Sequence, residues 1–548
     1  MVDSSLTLGR VAPQSTKSRA QYCFELPDIT TLIVNEMNDS PKLEQSARKE
    51  FVAFACICRS TVYPAMRVLW REQIGLDNLI RIVPADTWKK EWIGRIEQAV
   101  GKHNGNENEK DEEMTARGGA HPLENQTEVN SLKRSLLSFE WQRFHYYAAF
   151  IRHLIVCPIR WSPEVSLALQ LHRSSIGSPL LPNLKEFTCH GDYKLDVIFT
   201  ATLCLPLTLK RVTVSADRNM SRTHAFLTYL PKVSPKVEDI CIRKPCARPI
   251  DIHPLLGYVH LRSVSISRIR VSTVESVLKL AQLPRLEKLS LFFIHSPASE
   301  NPSPNRSSPY VFHQVTSLEC NSAPEFLQAA RFPVLQSFSI KDESSLRIRA
   351  SLNALWKHCS PDILSKIFVA CLQRRDLEPA LTLEDIQTVY KFQRLKWFDV
   401  RATRWIWNDQ ELERMASAWP RLTKLTVYST MPKYLEPEGF TLLGLVHLVK
   451  CCPRLSSLSI RICEQHPPVT LSDLPEDGSS NLRLQTISFS DAQLEQSQYD
   501  TVAAFLSSLF PNLRRIESPF TTHSSHCWKR VERLLGTFSK GEAYTQRE

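Results

Sequence analysis

Glycine is scarce in this chain, at 15 residues in 548. That scarcity removes most phosphate-cradling chemistry, because a backbone that wraps a phosphate needs glycine where it turns tightly or approaches the ligand. Neither GxGxxG nor GxxxxGK(S/T) occurs. There is no GxSxG nucleophile elbow, no HExxH helix and no kinase motif set. Long apolar runs are missing as well. No stretch of about 18 apolar residues exists, so no transmembrane helix is expected. The opening MVDSSLTLGRVAPQSTKSRA lacks the apolar core of a secretory signal. Without such a signal, the 15 cysteines point to a reducing compartment, cytoplasmic or nuclear, and to thiols rather than disulfides. Metal-ligand spacing is absent too. Cys56-x-Cys58 and Cys451-Cys452 sit in apolar patterns, and His523-x-x-His526-Cys527 has no second ligand pair. No metal, no cofactor and no catalytic residue is expected.

Charge is present but dispersed. The 68 Lys and Arg against 57 Asp and Glu leave a net +11 and a pI near 8.9. No Lys/Arg run exceeds three residues, so the balance permits acidic partners without building a nucleic-acid stripe. Nucleic-acid binding is not expected.

What the chain does have is a repeat. The pattern apolar-x-x-apolar-x-apolar recurs about fourteen times, the last copy keeping only its first two apolar positions, starting at Ile151, Leu184, Leu209, Val237, Leu261, Leu286, Val315, Leu335, Leu364, Leu395, Leu422, Leu455, Leu484 and Leu513. Thirteen intervals between residues 151 and 513 average about 28 residues, the range of leucine-rich repeats. With the first apolar residue as position zero, positions +3 and +5 point to one face of a strand and +2 and +4 to the other. Proline stands at position −2 in seven copies (Pro182, Pro235, Pro284, Pro333, Pro420, Pro453, Pro511), where it stops the preceding helix. Helical spacing precedes several copies, as in Val274/Val277/Leu278/Ala281, Leu442/Leu443/Val446/Val449 and Val502/Phe505/Leu506/Leu509. Each unit thus reads helix, break, strand. The shortest, Val315 to Leu335, spans only 20 residues and is expected to be the most distorted.

The N-terminal segment follows a different pattern. FELPDITTLIVNEM puts Leu26, Ile29, Leu32, Ile33 and Met37 on one helical face, with Pro27 and Asp28 suited to a first turn. EFVAFACICRSTVYPAMRVLW carries Phe51, Phe54, Ala55 and Cys58 at helical spacing, and Pro64 is expected to open a third helix with Ala65, Leu69 and Trp70. Three such short helices cannot bury all these side chains among themselves. Leu26-Pro27, Cys58-Arg59 and Leu69-Trp70, at the ends of the three helices, resemble an F-box. AFACICRSTVYPAMRVLWRE is similar to the form seen in fungal F-box proteins with leucine-rich repeats. LDNLIRIVPADTW and WQRFHYYAAFIRHLIV resemble the stretches that follow the box in those proteins, and Ile29 departs from the Glu common there. The resemblance implies a substrate-recognition subunit of an SCF-type ubiquitin ligase. Its box would dock on a Skp-family adaptor, and through it a cullin, by Leu26, Pro27, Ile29, Leu32, Ile33, Phe54, Leu69 and Trp70. The repeats would bind an unknown protein substrate.

The expected fold is therefore α/β. It is an irregular leucine-rich-repeat solenoid, parallel strands inside and helices outside, preceded by a small three-helix F-box-like module. The boundaries are a disordered N-terminus at 1–22, the module at 23–72, linker helices at 73–100, a disordered acidic and polar insert at 101–130, the solenoid at 131–520, and a cap helix and tail at 521–548. A Ser/Pro/Asn loop, Ser296–Pro309, interrupts the repeats. Position +4 is Ser or Thr in eight copies (Thr188, Thr213, Ser265, Ser290, Ser339, Thr426, Ser459, Ser488), a flat and wettable surface. LKWFDVRATRWIW is the exception. Trp397, Asp399 and Arg401 should point away from the core together, with Trp405 and Trp407 close behind. Trp and Arg dominate binding hot spots, so Trp397, Asp399, Arg401 and Trp405 are the candidate substrate-binding residues.

Overall fold

A computed structural model of the chain describes residues 26–37, 45–94, 126–156, 163–189, 203–215, 221–243, 252–270, 274–294, 309–321, 324–371, 381–403, 407–429, 439–463, 468–490, 494–517 and 524–538. It divides into two compact units, Met1–Ser215 with Lys232–Lys236 and Ala216–Pro231 with Val237–Glu548. The N-terminus at 1–22, the loop at 296–308 and most of the 101–130 insert lie outside the described residues.

The first unit begins with helices α1 (Pro27–Met37), α2 (Gln45–Ala55) and α3 (Arg59–Leu69). Their shared core is small: Val34, Phe51, Phe54 and Ala65, with Ile33, Ala55, Val68 and Leu69 packed partly against it. The third helix starts at Arg59, five residues earlier than Pro64 suggested. A local cap explains the shift. The Thr61 hydroxyl accepts the Cys58 N–H at 3.3 Å and donates to the Cys58 carbonyl at 2.7 Å. Pro64 lies inside α3, where it removes one helical N–H.

Of residues 73–100, expected as linker helices, the described part 73–94 holds two short helical turns between two strands. Strand β1 (Glu72–Ile74) is followed by the turns Asp77–Ile80 and Ala85–Thr87 and by β2 (Trp88–Gly94). The latter pairs antiparallel with β3 (Gln126–Leu132), which claims residues 126–130 from the presumed insert. Trp88, Trp92 and Ile93 favour a strand, but the partner that satisfies their ladder lies beyond the polar insert, outside any local window. Next in chain order come helix α4 (Ser138–Ala148), strand β4 (His153–Val156), helix α5 (Pro163–Ile176), and strands β5 (Glu186–Cys189) and β6 (Arg211–Ser215). Strands β1, β4, β5 and β6 form consecutive parallel neighbours. The repeat strands therefore begin before residue 131. The register of β1 is hidden because position +3 holds Gln73 and +5 holds Gly75. Gln73 is buried but satisfied: its amide donates to the Leu69 carbonyl and accepts from Asn78, both at 3.1 Å.

In the second unit the strands are β7 (Asp239–Arg243), β8 (Ser263–Arg270), β9 (Lys288–Ile294), β10 (Tyr310–Val311), β11 (Ser317–Asn321), β12 (Ala330–Arg331), β13 (Ser337–Asp342), β14 (Lys366–Cys371), β15 (Trp397–Ala402), β16 (Lys424–Ser429), β17 (Ser457–Arg461), β18 (Thr486–Ser490) and β19 (Arg515–Glu517). Short β10 and β12 pair with each other, and the other eleven make parallel neighbours in order. All fourteen expected copies are parallel strands, each opening two residues after position zero. Position +3 is one buried row: Leu289, Leu318, Phe338, Ile367, Phe398, Leu425, Leu458, Ile487 and Ile516. Stacking identical rows excludes water from side chains that no single repeat could cover, at about 1.5–3 kcal/mol for each large apolar residue.

The 20-residue unit is not the distorted one. Five residues of β11 pair with β13 without a shift. A six-residue helix, Pro324–Ala329, and a Phe312–Phe332 stack at 5.1 Å fill the shortened return. The register shift falls instead between β8 and β9, at Ile266/Ile269. Val274 to Ala281 form a five-residue helix followed by a 3-10 turn rather than one helix. Helix α6 (Gly444–Cys451) buries Leu442, Leu445, Leu448 and Val449, so Leu443 and Val446 leave the expected stripe. Its entry is set by Asp409, which accepts the Thr441 N–H at 2.9 Å and the Thr441 hydroxyl. Helix α7 (Tyr499–Leu509) buries Val502, Phe505, Leu506 and Leu509, the expected stripe. Helix α8 (Ser524–Phe538) closes the end. Trp528, Val531 and Leu535 are buried, and Glu532 accepts the Ile516 N–H of edge strand β19 at 2.7 Å.

Candidate functional site

The module shows which of its apolar residues are left over. Leu26, just before α1, is 51% exposed and Leu32, on it, 62%; Ile29 and Ile33 beside them are half-buried, Ile33 packing partly against the module core. Val52 and Ile57, on and just after α2, are also exposed. Pro27 is the first residue of α1, and its side chain lies outside the described residues. Three of the expected docking residues face inward instead. Phe54 is buried in the module core, and Leu69 packs against that core. The Trp70 ring sits 4.8 Å from Tyr147 of α4. Helical spacing shows that such residues share a face; it does not say which face the core takes.

On the second unit, the face of the sheet away from the buried rows carries the other candidate. Phe398, Val400 and Ala402 of β15 point into the core, so Trp397, Asp399 and Arg401 share the open face. Asp399 is only 3% exposed, which corrects its role. It cannot reach a partner because Arg401 covers it, with Nε–Oδ1 at 3.1 Å and Nη2–Oδ2 at 3.3 Å. Trp397 is half-buried, Arg401 is exposed, and Trp407 is fully buried. Trp405 lies outside the described residues.

Register brings further residues to Trp397 that single-copy reading missed. Lys366, Trp397 and Lys424 occupy position +2 of three successive copies and face one another across β14, β15 and β16. The Lys424 ammonium lies 4.5 Å from the Trp397 ring centre and that of Lys366 lies 5.4 Å away. Phe368, at +4 of β14, is approached by Arg401 at 5.2 Å and Lys341 at 5.8 Å. Lys341 also pairs with Glu319 at 2.7 Å. A shallow cavity of about 290 Å³ opens here, with Ser337, Ser339, Lys341, Lys366, Phe368 and Trp397 among its walls. Reading each position down successive copies would have exposed the Lys-Trp-Lys row.

No family model matches this chain, and no curated protein matches it. Among solved structures, it is similar to the leucine-rich repeat-containing protein LegL7 from Legionella pneumophila, at 14% identity and a TM-score of 0.32. That match covers 65% of this chain and 97% of LegL7. TLR13 in a complex with ssRNA13 matches at 13% identity and a TM-score of 0.25, over 73% of this chain and 64% of the TLR13 chain. The fold rests on the molecule's own register: fourteen parallel strands at repeat spacing, three in the first unit and eleven in the second, make this an α/β leucine-rich-repeat fold.

The open face of the first unit's strands is chemically distinct. His153 bridges Glu72, at 3.2 Å from Nδ1, and the Thr188 hydroxyl, at 3.0 Å from Nε2. Acid, imidazole and hydroxyl in that order suggest a hydrolytic relay, but such a relay needs free N–H groups to hold an oxyanion. Strand β5 is paired on both sides, by β4 and β6, so its amides are committed to the ladder. The arrangement ties three strands together. The described cysteines are free thiols, and burial pushes Cys204 and Cys452 up to about 12, which keeps them protonated and unreactive. Among the described residues, no three His, Cys, Asp or Glu side chains are grouped to hold a metal, and no helix is long and apolar enough to cross a membrane.

Proposed function

We propose that this chain is the substrate-recognition subunit of an SCF-type ubiquitin ligase. The helical module docks on a Skp-family adaptor, and through it a cullin, while the repeats bind the protein to be ubiquitinated. In this reading the chain performs no bond chemistry and works in the cytoplasm or nucleus, where it would meet its adaptor. One observation carries the proposal: among the described residues the module buries four apolar side chains and leaves Leu26, just before α1, and Leu32, on it, more than half exposed. Covering a leucine is worth about 1.5–3 kcal/mol, so this face gains from a partner. The F-box-like residues Leu26-Pro27, Cys58-Arg59 and Leu69-Trp70 support the choice of partner.

A second reading, an interaction scaffold without an adaptor, draws on Leu69 and Trp70. Both turn inward, as they would if the module served only to cap the strands that follow. Co-expression of the full chain with a Skp-family adaptor separates the two. The wild type should co-purify with the adaptor. Leu26→Asp with Leu32→Asp should abolish co-purification and leave the repeats folded by circular dichroism, because a desolvated carboxylate costs several kcal/mol. A wild type that fails to bind adaptor at micromolar concentration leaves the scaffold reading standing.

A further inference from the structure

We infer that the Lys366–Trp397–Lys424 row is a docking site for an extended acidic peptide segment, with two Asp or Glu carboxylates three residues apart. The inference deepens the reading of the repeats as the partner-binding part, and rests on it.

The available charge is what decides the ligand. Four cations gather on this part of the sheet: Lys341, Lys366, Arg401 and Lys424. Two are already engaged by carboxylates, Lys341 by Glu319 and Arg401 by the buried Asp399. Among the described residues, Lys366 and Lys424 have only the Trp397 ring between them and no carboxylate in ion-pairing range. The site therefore offers two separate single charges. A phosphate dianion is held best by converging donors such as an arginine fork, and Arg401, the arginine beside this row, already turns its Nε and Nη2 to Asp399. Nucleic acid fits no better. Bases stack on open aromatic faces, whereas ammonium groups hold the Trp397 ring.

Spacing supplies the second constraint. The two lysines sit at matching register positions on strands separated by one other, so their backbones are about 9–10 Å apart. An extended polyproline-II segment rises about 3.1 Å per residue with three residues per turn. Its residues i and i+3 lie on one side, about 9 Å apart. A pleated strand puts i and i+3 on opposite faces, and its same-face i and i+2 are only about 7 Å apart. The cavity lined by Ser337, Ser339, Phe368 and Trp397 opens on the β13 side of Lys366 and can take a side chain that flanks the acid held there.

The test is selection of a random dodecapeptide phage library on the full-length chain, with Lys366→Glu/Lys424→Glu as counter-selection. Enriched peptides should carry two acids three residues apart. Synthesised, the best one should bind at least tenfold more weakly to the charge-reversed chain and keep its affinity for Lys366→Arg/Lys424→Arg. Its Gln/Gln analogue should lose binding at least tenfold. Four results overturn the inference: neutral or basic winners, acids at another spacing, a phosphoserine analogue more than tenfold tighter, or oligo(dT) competing for the site. No enrichment at all overturns it too. Adaptor co-purification measured on the same preparations keeps this failure distinct from failure of the ligase reading.

Discussion

The helical module and the repeats use their apolar side chains in opposite ways. In the repeats, every residue of the +3 row from Leu289 to Ile516 is buried, and adjacent copies supply the cover. In the module, four of the described apolar residues form the core while Leu26, Leu32, Val52 and Ile57 stay exposed. A repeat is completed by the next repeat, so its open face is free to be polar and selective. Three short helices have no such neighbour in sequence. Their leftover apolar surface is where a partner has most to gain.

Breaking a repeat should hurt most. Leu425→Ala, in a fully buried row, should cost about 2–5 kcal/mol by urea denaturation. A loss below about 1 kcal/mol would mean that the rows are not packed as described. Next comes Gly444→Ala. A methyl group there would collide with the Asp409 carboxylate that sets the entry of α6. Overpacking at such a contact should cost about 1–3 kcal/mol, and Asp409→Ala should make the Gly444 change better tolerated in a double-mutant cycle.

The third prediction separates the units by pH. In the first unit, His145 of α4 and His172 of α5 meet Nε2 to Nε2 at 2.8 Å, and Trp141 stacks on His172 at 3.6 Å. Burial lowers both imidazoles below their usual 6.5, and His172 is lowered further by His145. The folded state thus prefers them neutral, one ring donating to the other. Their contribution is full above about pH 6.5 and is lost as pH falls through the lower folded values. Denaturant midpoints for this unit should drop between pH 7 and 5.5, with a change in Trp141 fluorescence. His172→Phe should flatten that dependence while keeping the stack. The smallest effect belongs to the module's surface: Leu32→Ala should change stability by less than about 0.5 kcal/mol, because little burial is lost.

What could be read from the chain, and what could not, follows from where the determining contact lies. The strands were legible because positions +3 and +5 are apolar within a single copy. Strand β1 was not, because Gln73 and Gly75 occupy those positions and a side-chain amide supplies what an apolar contact would elsewhere. The pair β2 and β3 escaped because each needs a partner more than thirty residues away. Trp397 and Arg401 were visible from alternation along one strand. Lys366, Lys424 and Phe368 were not, because only the register between copies brings them together. Asp399 alternated correctly, but its burial depends on the neighbour that covers it. Phe54 and Trp70 were assigned to the docking surface by the F-box resemblance, and amphipathic spacing alone does not name the side on which the core will form.

The central claim is that the module, not the open face of the repeats, takes the adaptor. Hydrogen–deuterium exchange of the full chain with and without a Skp-family adaptor tests it directly. Protection should appear across residues 26–33 and 52–57, with exchange in strands β13 to β17 unchanged. Protection confined to those strands, or none in the module with adaptor at saturating concentration, would contradict it.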